Sequence, residues 1–517
     1  MQGSVLVIGI DGGDFRTIDP LIDAGAMPNV ASLLEDGYHA TLESSMPPWT
    51  PTAWTSLTSG TNPGKHGVFD FETPDGDRLV DADDVRTNRL WETLTEAGGR
   101  SIVVNVPVTD PAPEIDGVVV PGFLGREVDR LQAQPADVVD ELREKLGEYR
   151  VYADESLEGD ALCEEYVHLM GLRRDATAYL CETYEWDFAM VEFQATDLVF
   201  HELPERRHVE RVYRSVDELI GSLLETVDAD YTMLVSDHGM GELGRWDVRI
   251  NTWLKRRGYL ETSVDGRAHG WEKPVADGDD GRADDLATRA VRGLSRAGLT
   301  PQRVESGLAS VGLAALARRA IPDAVLGHLV TAGEKIDQDA SSAYFPSSAC
   351  LGIYCDDDVR PELLEELAAL TVPDGSRPVF EAVEPAERVY HGPCVSDGPD
   401  VLLTPTDFDH FVSAVVTESV FDESRHRYNH KPTGILVATG PRVQPTSERG
   451  TAHVHDVAPT VLAALEVPLD VAFDGEPIEA IGGEPVGEVR YSRWTRERDR
   501  AESAAVRRRL EGLGYLE

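Results

Sequence analysis

Short runs of apolar and β-branched residues recur along the chain, and each one ends in a polar loop. They are VLVIGIDGG (5–13), SIVVNVP (101–107), FAMVEFQATD (188–197), TMLVSDHGMG (232–241) and GILVATGP (434–441). Near-continuous apolar runs of this length are typical of strands buried on both faces. Segments with helical periodicity lie between them, at 27–37, 90–99 and 206–227. The alternation predicts an α/β fold with a mostly parallel central sheet flanked by helices.

This rhythm changes between residues 263 and 340. A Gly- and Asp-rich stretch is followed there by segments rich in Ala, Leu and Arg, which favour helices. We therefore predict a core formed by 1–262 and 341–480, interrupted by an inserted helical cap at 263–340. The charged segment 481–517 is predicted to form a C-terminal helical extension.

The charge balance restricts the partners that the protein is expected to bind. The 517 residues include 93 Asp and Glu against 48 Lys and Arg, which gives a net charge of −45. Such a surface repels phosphate backbones, so no nucleic acid polymer is expected as a partner. Only six of the basic residues are Lys. We expect a high-salt environment, in which screening reduces the repulsion between surface carboxylates.

The cysteines and the N-terminus indicate the compartment. Five cysteines, an odd number without CxxC spacing, argue against a disulfide framework and against a thiolate zinc site. The chain starts almost directly with an apolar strand, and it contains no run of about 18 apolar residues. These features predict a cytoplasmic protein without membrane insertion. They leave its oligomeric state open.

Candidate metal ligands follow three of the predicted strands. Asp11 ends the first, Asp197 the third, and Asp237 with His238 the fourth. Ligands of α/β sheets bind outside the carboxyl ends of the strands. Asp197 and His201 are four residues apart, so a helix would place both on one face, as a divalent ion requires. Each feature alone fits a turn or a surface pair, but together they predict a metal site.

The segment MPPWTPTAWTSLTSGTNPGKHG (46–67) is rich in hydroxyls. Pro51 suits the first turn of a helix, so we expect Thr50 as its N-cap and Gly60 as its C-cap. Free N–H groups at a helix N-terminus favour anions. Thr50 is thus either a plain cap or a nucleophile at an anion site. The other hydroxyls of the helix, on Thr52, Thr55, Ser56, Thr58 and Ser59, are expected at surface or packing positions.

Taken in order, several segments resemble the alkaline phosphatase superfamily, and within it the type I phosphodiesterase/nucleotide pyrophosphatase family. They are VIGIDGGD, TPTAWTSLTSGTNPGKHGVFDF, WDFAMVEFQATDLVFH, SDHGMG, NHKPTGILVATGP and DVAPTVLAALEVP. The resemblance spans residues 4 to about 480, interrupted by the predicted cap. The acid-rich composition makes the chain similar to a haloarchaeal member.

The resemblance implies two divalent metal ions, with zinc expected first and manganese or iron as alternatives. One ion would be held by Asp11, Thr50, Asp237 and His238. The other would be held by Asp197, His201 and a late histidine. We assign the late ligand to His430, because it precedes a predicted strand. Its competitors are His426, His453 and His455, of which His455 is the strongest.

The resemblance also implies hydrolysis of a small-molecule phosphoester through a phospho-threonine on Thr50. No Arg follows the Thr-Pro pair, which argues against sulfatase chemistry and against a typical alkaline phosphatase. Asp70 and Phe71 lie where nucleotide pyrophosphatases have an Asn, so Lys65 or a cap residue is the candidate positive charge. We expect a phosphodiesterase. The alternatives are a phosphoryl or phospho-alcohol transferase, a phosphomonoesterase or sulfatase-like hydrolase, and a degenerate binding member.

Overall fold

A computed structural model of the chain describes residues 3–74, 76, 78–126, 130–263, 335–493 and 504–513. The chain divides into two compact units. One comprises Met1–Asn251 with Ala343–Glu517, and the other comprises Thr252–Ser342. Residues 264–334 of the expected cap lie outside the described residues. The helical cap and the domain boundaries therefore stay predictions.

Strands and helices alternate along the chain. The strands are β1 (Val5–Ile10), β2 (Tyr38–Glu43), β3 (Ser101–Val104), β4 (Gly117–Val120), β5 (Phe188–Phe193), β6 (Tyr231–Val235), β7 (Gly239–Glu242), β8 (Trp246–Arg249), β9 (Thr262–Ser263), β10 (Lys335–Ile336), β11 (Ala343–Tyr344), β12 (Gly352–Cys355), β13 (Phe380–Pro385), β14 (Val401–Pro405), β15 (Phe411–Ser413), β16 (Phe421–Glu423), β17 (Tyr428–Lys431), β18 (Thr433–Thr439), β19 (Gly450–His453), β20 (Leu469–Asp470) and β21 (Glu488–Val489). The helices are α1 (Phe15–Asp23), α2 (Pro28–Asp36), α3 (Thr50–Ser59), α4 (Pro63–His66), α5 (Leu90–Glu96), α6 (Val138–Leu146), α7 (Gly159–Thr183), α8 (Ala195–Glu202), α9 (Arg206–Thr226), α10 (Ile250–Arg257), α11 (Arg360–Ala368), α12 (Val457–Ala464), α13 (Glu479–Gly482) and α14 (Ala504–Leu513).

An eight-stranded sheet forms the centre of the larger unit, in the order β19-β2-β18-β6-β1-β5-β3-β4. Strand β18 pairs antiparallel with both of its neighbours, β2 and β6. The remaining pairs are parallel. The predicted α/β fold with a mostly parallel sheet is confirmed. The carboxyl ends of β6, β1 and β5 lie side by side, which brings the residues after these strands together.

Both faces of this sheet are covered, as the near-continuous apolar strands predict. In β1, Leu6, Ile8 and Ile10 belong to a core cluster with residues of α1, α2, α7 and α9. Val5 and Val7 point into a second cluster with residues of α3, α5 and α12. Successive strand residues point to opposite faces, so one apolar strand serves two cores. This double burial holds the ends of the central strands in place.

Smaller sheets surround the central one, and the sequence patterns did not predict them. A four-stranded sheet has the order β11-β12-β14-β13, and a three-stranded sheet has the order β15-β8-β16. Strand β17 pairs antiparallel with β7, with His430 opposite Met240. Strands of three to five residues leave too little periodicity to detect. The β17–β7 pair matters most, because it carries a candidate ligand to the end of β6.

Helix α14 lies on the larger unit near the C-terminus, within the expected helical extension. Its buried residues Val506, Leu510 and Leu513 follow helical spacing and form one face. Arg509 Nη2 donates to the carbonyl of Ala153 at 2.7 Å, and its guanidinium lies 4.8 Å from the ring of Tyr152. These contacts dock the helix by both apolar and polar groups.

Candidate metal centre and active site

The first candidate cluster consists of Asp11, Asp237 and His238, at the ends of the adjacent strands β1 and β6. All three side chains are buried, and one ligand atom from each lies within 4.8 Å of the others. His238 Nε2 lies 3.2 Å from Asp237 Oδ2 and 3.5 Å from Asp11 Oδ1. The backbone N–H of Gly12, at φ 62°, donates to Asp237 Oδ1 at 3.3 Å. A left-handed turn directly after β1 thus orients a carboxylate of the neighbouring strand.

The second candidate cluster is formed by Asp197, His201 and His430. Asp197 and His201 both lie on α8, so the predicted helix and the predicted shared face are present. Asp197 Oδ1 lies 3.4 Å from Nε2 of each histidine, and the two Nε2 atoms are 3.3 Å apart. The rings of His430 and His238 stack with centroids 3.7 Å apart. The two clusters are therefore direct neighbours, and Asp197, His238 and His430 also form a compact set of ligand atoms.

Backbone carbonyl groups orient the two stacked histidines. His430 Nδ1 donates to the carbonyl of Pro48 at 3.0 Å, and His238 Nδ1 donates to that of Gly239 at 3.1 Å. Because Nδ1 carries the proton in each ring, the lone pair is on Nε2 and points towards the carboxylates. A histidine that binds a metal commonly has its second ring nitrogen held in this way. The rings of His238 and His430 thus have the orientation that is typical of metal-binding histidines.

The electrostatics of the site indicate the kind of group that fits it. Burial, with the nearby carboxylates of Asp237 and Asp197, raises the pKa of Asp11 well above its usual range. Burial and Asp197 raise the pKa of Asp237 in the same way. Burial and His430 lower the pKa of His238, which keeps its ring neutral.

Acceptor atoms thus face one another in a buried space. Asp11 Oδ1, Asp237 Oδ2 and His238 Nε2 are buried without a hydrogen-bond partner. A contact of 3.2 Å between a carboxylate oxygen and a ring lone pair is repulsive unless positive charge lies between them. Mixed carboxylate and imidazole ligands suit divalent zinc, iron or manganese. The residues present fit divalent cations.

Thr50 is buried at the start of α3, but it is not the N-cap. The cap position belongs to Trp49, and Thr50 is the first helical residue. The side chain of Trp49 makes no capping hydrogen bond. The Thr50 hydroxyl remains within the first turn, where free N–H groups and the helix dipole favour an anion.

The segment around Thr50 contacts both candidate clusters. Before Thr50, the carbonyl of Pro48 binds His430, and the ring of Trp49 lies edge-on to His430 with centroids 4.6 Å apart. One turn later, Trp54 Nε1 donates to Asp11 Oδ2 at 3.1 Å. A side chain at Gly9 would come within 2.4 Å of Trp54, so glycine in β1 provides the room for that indole. Sequence reasoning missed both tryptophans, although they flank Thr50 in WTPTAW.

Most other hydroxyls of α3 bind within the protein. Thr55 Oγ1 donates to the carbonyl of Pro51 at 2.6 Å, and Thr58 Oγ1 donates to that of Trp54 at 2.7 Å. Ser56 Oγ and His66 Nε2 are 2.9 Å apart. All residues of α3 are buried, so these hydroxyls pack inside the fold. They occupy packing positions, one of the two expected possibilities.

The competing histidines lie elsewhere. His453 and His455 are neighbours, with ring centroids 4.2 Å apart, and the carboxylate whose charge acts on the pKa of His455 is Asp474. His426 stacks on Phe411 with centroids 4.3 Å apart. Among the described residues, the compact sets of ligand atoms include His430 and none of these three. Geometry supports His430 as the late ligand.

Lys65 is bound elsewhere and does not supply the expected positive charge, while the other candidate, a residue of the cap, stays a prediction. Its ammonium pairs with Asp474 and donates to the carbonyl of Ala472 at 2.8 Å, beyond the C-terminal end of α3. Asp70 has partners of its own, because it accepts hydrogen bonds from Ser347 Oγ and from the backbone N–H of Phe71. Burial raises the pKa of Asp70 to about 7, although these bonds oppose the shift.

The mostly parallel central sheet flanked by helices defines an alkaline-phosphatase-like fold, and its carboxyl edge carries carboxylates and imidazoles. Residues 5–317 match the family model described as type I phosphodiesterase/nucleotide pyrophosphatase. The chain belongs to this family and is a hydrolase acting on phosphoric ester bonds. Members are metal-dependent, in agreement with the candidate metal-binding clusters.

Solved structures share the fold at low sequence identity. Phosphonoacetate hydrolase from Sinorhizobium meliloti 1021, in complex with phosphonoformate, is 14% identical with a TM-score of 0.55. The alignment covers 90% of this chain and 96% of that one. An inactive variant of murine ectonucleotide pyrophosphatase/phosphodiesterase 5, in complex with AMP, is 14% identical with a TM-score of 0.50, over 93% and 99% of the chains. No curated protein sequence matches the chain. Among the described helices, none combines the length and apolar character of a bilayer-spanning segment.

Proposed function

We propose that the protein is a phosphodiesterase that binds two divalent metal ions and cleaves a small-molecule phosphoester through a phospho-threonine on Thr50. The observation that carries the proposal is the contact of one segment with two adjacent ligand clusters. Pro48 and Trp49 contact His430 of one cluster, and Trp54 holds Asp11 of the other. Thr50 belongs to this segment, between the residues that contact the two clusters, which supports its role as the nucleophile.

The ligand sets follow from the clusters. Asp11, Asp237 and His238, together with the Thr50 hydroxyl, would hold one ion. Asp197, His201 and His430 would hold the other. Bound divalent cations supply positive charge that favours a deprotonated hydroxyl and stabilises charge developing on phosphoryl oxygens. Zinc suits this ligand set best, and manganese or iron are the alternatives.

The residues of the chain then perform two displacements at phosphorus. Thr50 Oγ1 attacks the phosphorus, the P–O bond to the first alcohol breaks, and that alcohol leaves with the proton from the Thr50 hydroxyl. Water next attacks the phosphorylated Thr50, giving its hydroxyl to phosphorus and a proton to Oγ1. The products are an alcohol and a phosphomonoester. The N-terminal N–H groups of α3 favour the negative phosphoryl group during both steps.

A panel of substrates tests this proposal. With zinc or manganese at defined concentration, bis-aryl phosphate, aryl phosphate, aryl sulfate and a nucleotide diester are compared side by side. We expect the highest kcat/KM for a diester. A preference for aryl phosphate or aryl sulfate would contradict phosphodiesterase activity and would indicate a phosphomonoesterase or a sulfatase-like hydrolase. Products formed with an added alcohol would indicate a transferase, and no turnover at all would indicate a binding protein.

The covalent step has its own test. Acid quench during turnover, followed by peptide mass spectrometry, should find the substrate-derived phosphoryl group on Thr50. The remaining hydroxyls of α3 serve as internal controls in the same peptide. Modification of a different residue, or of none under conditions where the second step is slow, would contradict the phospho-threonine.

We also propose a high-salt cytoplasm as the working environment, which is supported by the net charge of −45. Repulsion between surface carboxylates extends over roughly 30 Å at 0.01 M salt and is largely screened at molar concentration. The midpoint of thermal unfolding should rise steeply between dilute and molar KCl. If the midpoint of unfolding did not change with KCl concentration, the proposed high-salt environment would be contradicted.

A further inference from the structure

The candidate active site is closed to solvent in this structure. Six of the seven residues proposed to bind metal or phosphorus are at most 2% exposed, namely Asp11, Thr50, Asp197, Asp237, His238 and His430. His201 is the least buried of the seven, with 10% of its side chain exposed. Within the part of the chain that the structure describes, the approach to Thr50 therefore runs past His201.

A cleft lies at this place, but it is too small for a substrate. Its wall residues include Trp49, His201 and Leu513. The interior has a volume of about 20 Å³, which is room for one or two water molecules. A phosphoryl group with its alcohol substituent is much larger. A wall of the cleft has to move before a phosphoester can reach Thr50.

The walls of this cleft differ in how firmly they are held. Phe411 lies on β15 and Tyr428 on β17, and both strands are hydrogen-bonded into ladders. Trp49 packs on His430 beside the candidate ligands. Leu513 is the final residue of α14, and the backbone hydrogen bonds of an α-helix lie within the helix. Because a helix can leave a surface without breaking a ladder, we expect the wall at Leu513 to move first.

Side chains attach α14, a helix of ten residues, to the rest of the fold. Arg509 Nη2 donates to the carbonyl of Ala153 at 2.7 Å. Arg507 pairs with Glu72, but 29% of the arginine side chain is exposed, and ion pairs near solvent contribute little. A short helix held in this way opens locally at a much lower free energy than the whole fold unfolds.

We propose that α14 is a strap over the candidate active site, and that it moves away from the cleft whenever a phosphoester enters or a product leaves. In the closed position Leu513 blocks the way past His201. The strap then limits both the entry of substrate and the loss of bound metal ions. The inference rests on the proposed function, since it takes Thr50 as the place of reaction.

Loss of metal to a chelator measures the opening of the strap without turnover. Arg509→Ala should speed the loss at least about threefold, because the anchor at Ala153 is removed and the open state becomes more populated. Leu513→Ala should speed it as well, since the cleft widens. The matched control is Arg508→Ala, which changes an exposed arginine of the same helix and should lose metal at the wild-type rate. The kcat/KM for bis-aryl phosphate should rise in the same two variants.

A change in global stability would also speed the loss of metal, and a second control separates it from the strap. Asp474→Asn is expected to be less stable than the wild type, but it leaves the contacts of α14 intact. It should lose metal at the wild-type rate. The strap is overturned if Arg509→Ala and Leu513→Ala lose metal no faster than Arg508→Ala, or if Asp474→Asn loses it as fast as they do.

A protein that binds no metal would contradict the proposed function, and the strap would then be tested by chemical modification. Diethyl pyrocarbonate reacts with accessible neutral imidazoles, and peptide mass spectrometry follows its reaction with His201. This reaction should be at least about threefold faster in Arg509→Ala than in Arg508→Ala. His168, whose side chain is 46% exposed, should react equally in both variants. Equal rates at His201 would overturn the strap.

Discussion

The two ends of helix α3 differ in whether the buried polar groups beside them have hydrogen-bond partners. At the N-terminal end, beside Thr50, acceptor atoms of Asp11, Asp237 and His238 are buried without a hydrogen-bond partner. At the C-terminal end, past Gly60, the charged and polar groups are joined to one another. Both compact sets of carboxylate and imidazole atoms within the described residues lie at the first end.

Asp474 organises the C-terminal end. Its carboxylate pairs with Lys65, accepts the backbone N–H and the Nδ2 of Asn62 at 2.8 Å each, and lies 2.8 Å from His391 Nε2. Burial tends to raise the pKa of Asp474, but these partners outweigh it and lower the pKa to about 2. A carboxylate with this many donors is satisfied inside the protein and needs no metal ion.

The comparison separates a structural polar cluster from a site for ligands. Both ends contain aspartate, histidine and buried hydroxyls, so residue type alone does not distinguish them. The difference lies in the partners: donors meet acceptors at one end, while acceptors meet acceptors at the other. Unsatisfied buried acceptors are costly, and they persist in a fold where a ligand supplies the missing charge.

Removing the Thr50 hydroxyl should have the largest effect. Thr50→Ala should lower kcat by on the order of 10³-fold or more, as loss of a nucleophile does, while Thr50→Ser retains part of the activity. The matched control is Thr55→Ala, which removes a hydroxyl bonded within the helix and should change kcat less than about threefold. If folded, metal-loaded Thr50→Ala is as active as the wild type, water attacks phosphorus directly.

Changing one carboxylate at each end tests the cation sites. Asp197→Asn should lower the metal content from about two ions per chain to about one, because the amide loses the ligand charge. Asp474→Asn should retain both ions. Elemental analysis after gel filtration measures the content, and chelation should abolish activity until zinc or manganese is restored. An active wild type with fewer than one bound ion would contradict the two-metal proposal.

The same Asp474→Asn variant should lose stability. The free energy of unfolding should fall by about 1–3 kcal/mol, because Lys65 loses its charged partner in a partly buried place. The pair lies past the C-terminal end of helix α3, whose ten residues span about 15 Å from Thr50. The kcat of the variant should therefore change less than about twofold. Urea unfolding and steady-state kinetics on one preparation measure both; a large loss of kcat at unchanged stability would reverse the assignment of the two ends.

A smaller effect is expected from His66, which also lies at the C-terminal end. The backbone N–H of Val68 donates to His66 Nδ1 at 3.1 Å, and burial lowers the pKa of this ring to about 3, against an opposing effect of Asp474. Because the folded pKa lies below the unfolded value, stability is complete above about pH 6.5 and is lost as the pH falls towards 3. His66 should account for a loss of about 2 kcal/mol between pH 6.5 and 5.

The variant His66→Gln isolates this contribution, since glutamine does not titrate in that range. Its unfolding free energy, measured in urea at several pH values, should depend less steeply on pH than that of the wild type. The difference between the two curves removes the effects of other titrating groups. Parallel curves would mean that His66 is accessible to protons in the folded state.

Much of the fold was predictable, because it depends on local patterns. The apolar runs at 5–13, 101–107, 188–197, 232–241 and 434–441 contain strands of the central sheet, and the segments 27–37, 90–99 and 206–227 contain α2, α5 and α9. A strand buried on both faces has to be apolar along its length, so an apolar run in the sequence indicates a strand in the centre of the sheet. Strands β7 and β17 were missed, since four residues carry almost no periodic signal.

Some residues of the candidate site were likewise predictable from local patterns, and others were not. Asp11, Asp197, Asp237 and His238 follow buried strands, and parallel strands bring their carboxyl ends to one edge, so their meeting was predictable from topology alone. The choice of His430 over His455 was open in the sequence. The β17–β7 pairing decided the geometry, because it places His430 next to the end of β6. The fate of Lys65 depended on Asp474, a residue 409 positions away.

The sequence by itself determined which runs form buried strands, which acidic residues follow them, and which hydroxyl lies at a helix N-terminus. Only the tertiary structure decided which histidine lies beside the acids and which lysine is already paired with a carboxylate. The physical reason is the separation along the chain of the residues that interact. Apolar periodicity and helix capping depend on residues close together in the chain, whereas ion pairs and ring stacking depend on distances that the folded backbone alone establishes.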